Sequence, residues 1–83
     1  MLDVHWTRRG TSDLAAICLD HPQHWAAIDA AEQDISDRLQ RDSWRYSEEV
    51  SEGLRKIISH PLAAYFVVAG NRIEIDAVAW VGY

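Results

Sequence analysis

Apolar and polar positions alternate at the start of the chain. Leu2, Val4 and Trp6 are separated by Asp3, His5 and Thr7, a period of two that predicts a short strand with one buried face. Arg8-Arg9-Gly10 breaks the alternation. Thr11, Ser12 and Asp13 then offer side-chain oxygens to the free N–H groups of a helix start. Leu14, Ile17, Cys18 and His21 share one face of the helix that follows. Asp20-His21-Pro22 ends it and opens a second helix, because proline suits the first helical position, where its missing N–H would be unpaired anyway. That helix is expected from Pro22 to about Arg41. Trp25, Ile28, Glu32, Ile35 and Leu39 recur at helical spacing, Ala27 and Ala31 broaden the stripe, and Asp29, Asp37 and Gln40 lie opposite. The tight link predicts an antiparallel helical hairpin.

Asp42 to Glu52 is polar and shows no period, so it is expected to be irregular, with Trp44, Tyr46 and Val50 as candidate anchors to the core. From Gly53 the pattern changes to strands. Leu54 to Ser59 is the weakest of three. Leu62 to Ala69 is a continuous apolar run, as expected of a central strand covered on both faces or nearly so. Gly70-Asn71 suits a two-residue hairpin turn that needs positive φ. Ile73 and Ile75 then alternate with Arg72, Glu74 and Asp76, and the alternation changes phase to Val78 and Trp80, which predicts a bulge near Ala77. The expected fold is α+β in the order β-α-α-β-β-β. It is a small, mostly antiparallel twisted sheet with the helical hairpin on one face, in a single domain spanning residues 1–83.

Composition narrows the function classes. Nearly half of the 83 residues are apolar and a quarter are charged, the balance of a soluble globular domain. No apolar run reaches the roughly 18 residues of a membrane span, and the first residues lack the basic lead and apolar block of a signal peptide. The single cysteine, Cys18, excludes an internal disulfide and fits a reducing, cytoplasmic setting. Net charge is −5, Lys56 is the only lysine, and the seven arginines look scattered. A chain with this field repels nucleic acid at long range.

The ordered strings resemble the RelE/ParE superfamily of toxins from type II toxin–antitoxin systems, the plasmid-stabilisation type. The resemblance rests on Val4-His5-Trp6-Thr7, Asp13-Leu14-Ala15-Ala16-Ile17, Ile35-Ser36-Asp37-Arg38-Leu39, Gly53-Leu54-Arg55, the run from Pro61 to Val68, and Arg72-Ile73-Glu74-Ile75. It implies a toxin held inactive by a cognate antitoxin. The family's targets imply action on translation, by cutting mRNA at the ribosome, or on DNA gyrase. In the nuclease branch, cations stabilise the charge that builds on the phosphate oxygens, and a terminal Tyr or His handles protons. Carried over residue by residue, the catalytic candidates are Arg55, Lys56 and Tyr83. Arg8, Arg9 and Arg72 are candidates for target or phosphate contact. Ala63 and Ala64 stand where an arginine often precedes the third-strand aromatic, and the basic tail usual in nucleases is not seen after the last strand. The expectation is therefore a protein-binding toxin-like domain with weak or absent endoribonuclease activity. The alternatives are a catalytically degenerate protein-binding module of the same fold, or an unrelated small α+β homodimer.

The remaining candidates have plainer readings. Trp6, Trp25 and Trp80 are expected in the core. Trp44, with Tyr46, is the candidate partner anchor, because it falls in the polar connection. Arg55 and Lys56 have an alternative as surface ion pairs with Glu48, Glu49 or Glu52. His21 and His24 are spaced for a metal on a helix, but no further ligand pattern completes a site, so neither metal nor cofactor is expected. Cys18 is expected as a small buried apolar residue.

Overall fold

A computed structural model describes residues 2–83. The elements are β1 (Asp3–Trp6), α1 (Arg8–Asp20), a short 3-10 turn (Pro22–His24), α2 (Trp25–Asp42), β2 (Glu48–Ser51), β3 (Leu54–Ser59), β4 (Leu62–Ala69) and β5 (Arg72–Trp80). The five strands form one sheet in the order β1-β5-β4-β3-β2, with β1 parallel to β5 and every other pair antiparallel. The continuous apolar run is the middle strand, as expected, but the helices cover one of its faces only: Leu62, Ala64 and Phe66 are buried beneath them, whereas Tyr65 and Val67 on the other face are partly exposed.

The first helix begins earlier than its sequence suggests. Thr7, not the Thr11–Asp13 group, is the N-cap: its Oγ1 accepts from the Gly10 N–H at 3.2 Å. The same hydroxyl donates to the Ile75 carbonyl at 3.0 Å, and the Thr7 N–H reaches that oxygen at 3.1 Å. Arg8-Arg9-Gly10 is thus the first turn of α1 rather than a loop. Gly10 is buried there, and the position needs glycine because a Cβ would overlap the Ile75 carbonyl oxygen. Asp13, released from capping, accepts the Val78 N–H at 3.0 Å. That bond lies just past the bulge, where the β4–β5 register slips between Tyr65 and Phe66 and leaves Asp76 without a partner. The Gly70–Asn71 hairpin has positive φ at Gly70 alone, the pattern of a type II′ turn.

Both helices lie on the same face of the sheet. Ile28, Ala31, Ile35 and Leu39 of α2 are all but fully buried against Ile57, Leu62, Ala64, Phe66, Ile73 and Ile75. Two side-chain hydrogen bonds pin α2 across the sheet: Trp6 Nε1 to Ser36 Oγ at 3.0 Å, and Ser59 Oγ to Asp34 Oδ2 at 2.7 Å. Trp25 departs from expectation. It is the first residue of α2, at the hairpin tip, 57% exposed, and its indole N–H donates to the Cys18 carbonyl at 2.7 Å. It therefore ties the two helices together from outside the core. Trp6 and Trp80 are partly buried against the core, and the His21 ring stacks on Trp80 at 3.7 Å.

The segment expected to be irregular contains a strand. All four residues of β2 are exposed, so no apolar alternation marks it. It forms because β3 offers it a ladder, Glu48 opposite Lys56 and Glu49 opposite Arg55. An edge strand of this kind needs no apolar face, and charged side chains suit it.

Two predictions follow from this packing. Ala is normally favoured over Gly within a helix by up to about 1 kcal/mol, yet Gly10→Ala is expected to lower stability by about 1–3 kcal/mol through backbone overlap, measured by urea denaturation. Burial, aided by the neighbouring Asp29 charge, holds the Glu32 carboxyl above its ordinary range. The folded state thus binds that proton more tightly, and the associated stability is lost as pH rises through the raised value. Glu32→Gln should match the parent chain in acid and gain on it toward neutral pH; a difference that stays flat across that range counts against it.

Candidate partner-binding site

The site lies where α2 ends and the chain turns into β2. Asp42 organises the turn: its Oδ1 accepts the Arg45 N–H at 3.2 Å and its carbonyl the Tyr46 N–H at 3.4 Å. The Ser47 hydroxyl then donates back to the Ser43 carbonyl. Ser47 in turn holds Arg55 of β3. Arg55 Nε donates to Ser47 Oγ at 2.8 Å and Nη2 donates to the Ser47 carbonyl at 2.9 Å. The Trp44 ring lies over the guanidinium, 4.0 Å from Cζ to the ring centroid, close enough for a cation–π interaction. Arg55 is only 9% exposed, whereas Trp44 is 64% exposed. The indole therefore covers the cation and presents its own outer face to solvent. A small hollow of about 100 Å³ opens beside them, lined by Trp44, Glu49, Gly53, Arg55 and Val68.

The other side of the turn carries a shallow cleft of about 310 Å³ between Arg45, Tyr46, Ser47, Glu48, Lys56 and Ile58. Tyr46 is partly buried against the core, and the guanidinium carbons of Arg38, Arg41 and Arg45 stand 5.7, 5.8 and 5.7 Å from its ring centroid. Arginines that look scattered in sequence, together with Lys56, are thus gathered at one corner. Most are matched locally: Arg38 with Asp34 at 3.1 Å, Arg41 with Asp37 at 2.9 Å, and Lys56 with Glu48 at 3.4 Å. The corner is rich in charge but not strongly cationic.

The catalytic candidates do not converge. Arg55 and Lys56 are neighbours on β3 and point to opposite faces. Arg55 pairs across with Phe66 on the helix-covered face, and Lys56 pairs with Tyr65 on the open face. Tyr83 is 78% exposed at the other end of the sheet, where the Val81 and Gly82 N–H groups bond to the Pro61 carbonyl and the His60 Nδ1 lies 2.8 Å from the Gly82 oxygen. From Arg55 to that end is the length of β3, on the order of 15 Å at strand rise. Arg8 and Arg9 start α1 beyond β1. With β5 and β4 between β1 and β3, they stand about three strand spacings, on the order of 14 Å, from Arg55. Arg72 opens β5 next to the hairpin turn and lies 3.9 Å from Glu74. Trp44 and Tyr46, the partner candidates, are both in the corner. His21 and His24 surround Trp80 as an aromatic group. Cys18 is half-buried beside the core. Sequence reasoning missed Ser47, the residue that positions Arg55, and Val68, which lines the hollow. A serine eight positions before an arginine carries no signal until the hairpin of β2 and β3 brings them together.

No family model matches the chain, and no curated protein matches it in sequence. The fold does have a solved counterpart. A chain in the structure titled "Chromosomal ParDE TA system from P. aeruginosa" superposes with a TM-score of 0.79 at 25% sequence identity, covering 98% of this chain and 97% of that one. This is the RelE/ParE toxin fold. In this RelE/ParE-type domain the Gly53-Leu54-Arg55 string lies at the start of β3, and its arginine is spent on Ser47 and Trp44 rather than aligned with Lys56 and Tyr83. No helix among the described residues is long and apolar enough to cross a membrane.

The Arg55–Trp44 contact is expected to be energetic as well as geometric. A double-mutant cycle on Trp44→Ala and Arg55→Met should give a coupling of about 0.5–2 kcal/mol by denaturant unfolding; additive effects would show that the stacking contributes nothing.

Proposed function

We propose that this chain is the toxin component of a type II toxin–antitoxin pair, neutralised in the cytoplasm by a cognate antitoxin, and that it acts by binding its target rather than by cutting RNA. The observation that carries this reading is the full-length superposition on a chain of a ParDE system, with both chains covered almost end to end. A binding mode is supported by the separation of Arg55, Lys56 and Tyr83. Phosphodiester cleavage needs cations and a proton-transfer group within hydrogen-bond reach of one phosphate, and these three lie on opposite faces and opposite ends of the sheet. A gyrase-type target, which needs binding without chemistry, fits that arrangement better than mRNA on the ribosome. The net charge of −5 also disfavours a mode that depends on many phosphate contacts.

The second reading is a catalytically degenerate module of the same fold that binds a protein partner and has no toxic action. Induced expression in a bacterial host, with and without the neighbouring gene, separates the two. Growth arrest relieved by the neighbour is the outcome expected of a toxin; undisturbed growth would sink it. During arrest, supercoiling by gyrase should fail while protein synthesis continues. An early, selective loss of protein synthesis that Arg55→Ala or removal of Tyr83 abolishes would restore the nuclease reading.

A further inference from the structure

Arg55 is the one buried basic side chain among the described residues, and it lacks a counter-ion. Arg38, Arg41, Lys56 and Arg72 each have a carboxylate within 4.0 Å. Arg55 has none among the described residues. Burying a cation is costly unless a charge is brought to meet it. Ser47 takes Nε and Nη2, and Trp44 takes the face of the guanidinium. What remains is the outer in-plane edge, with both N–H groups of Nη1 and the second of Nη2. Carboxylates approach guanidinium groups along that edge. The hollow that Arg55 lines is walled also by Trp44, Val68, Gly53 and Glu49, so an occupant that meets the cation there also meets apolar surface. Glu49 stands opposite Arg55 across the β2–β3 ladder and lines the same hollow, yet it forms no ion pair with the arginine. Its charge favours a single carboxylate over a polyanion, as does the net charge of −5.

We propose that Arg55, Trp44 and Val68 form a docking pocket for a peptide partner. The partner supplies an Asp or Glu carboxylate to the Arg55 guanidinium and an adjacent apolar side chain to Trp44 and Val68. This pocket gives chemical content to the partner-binding reading above and rests on it. In the free protein the uncompensated cation stays covered by Trp44; in the complex the partner's carboxylate completes it.

The test is to pan a random peptide library on the immobilised full chain and measure selected peptides against variants by calorimetry. Enriched peptides should share an acidic residue next to an apolar one. Their binding should fall about tenfold or more with Arg55→Gln, and changing the peptide's acidic residue to its amide should cause the same loss. Arg55→Lys should restore binding only in part, since lysine lacks the planar fork. Each variant is first checked for a single cooperative thermal transition well above the assay temperature, a lowered midpoint being expected for the Arg55 variants. Val68→Glu serves as a second block that leaves the Ser47 bonds intact, and it should abolish binding. Failure to enrich any peptide, enrichment without acidic residues, or equal binding to Arg55→Gln would each overturn the proposal. So would a short single-stranded RNA that displaces the selected peptides and depends on Arg55, which would assign the pocket to phosphate. Growth arrest is read separately in cells, so loss of the toxin reading and loss of the carboxylate pocket give different results.

Discussion

The carbonyl oxygen of Ile75 is the point on which the helical layer is hung. It accepts from both the N–H and the hydroxyl of Thr7, and it lies where a side chain on Gly10 would have to go. These contacts bring α1 down onto β5 just as the parallel β1–β5 ladder ends at Trp6 and Ile75. A residue larger than glycine at position 10 would lift the helix off the sheet. Asp13, one turn along, secures the same helix to Val78 across the bulge. With α1 placed, the hairpin carries α2 across the apolar face, where Ile28, Ala31, Ile35 and Leu39 fill the layer. A domain of this size buries only about 60% of its unfolded surface, so a few close polar contacts of this kind have a large share in fixing one arrangement.

The far corner follows different physics. There the chain leaves α2, turns on Asp42 and returns as an exposed edge strand. Its charges are sorted by strand alternation. Lys56 falls on the open face and finds Glu48. Arg55 falls on the covered face and finds only a serine and an indole. One residue of offset thus separates an ordinary surface ion pair, worth about 0–1 kcal/mol, from a buried cation without a counter-ion. The same alternation puts Arg55 and Lys56, the two strand residues that the family resemblance offers as catalytic candidates, on opposite faces.

Much of the architecture was legible in the residues. The period-two start, the helical stripe from Ile28 to Leu39, the apolar run of β4, the Gly70–Asn71 turn and the phase change before Val78 each express a local rule of backbone geometry or burial. The exceptions share a cause. The helix start moved from Thr11 to Thr7 because Thr7 is held by Ile75, 68 positions away. Trp25 was expected inside and lies outside because it opens α2 at the hairpin tip, where its indole finds the Cys18 carbonyl. The β2 strand has no apolar signature because its partner β3, not its own side chains, makes it a strand.

The candidate site divides along the same line. Sequence alone determined which residues carry charge and aromatic surface: Arg55, Lys56, Trp44 and Tyr46 were all visible as chemistry. It also determined that the basic set is too thin for a strongly cationic groove, since composition and net charge do not depend on folding. Only the tertiary structure decided which of these residues meet. It brought Trp44 and Ser47 onto Arg55, gathered three arginines around Tyr46, and put Tyr83 at the opposite end of the sheet. Local periodicity is set by neighbours a few residues apart, whereas the pairing of a charge is set by ladder register and by what the fold lays over it.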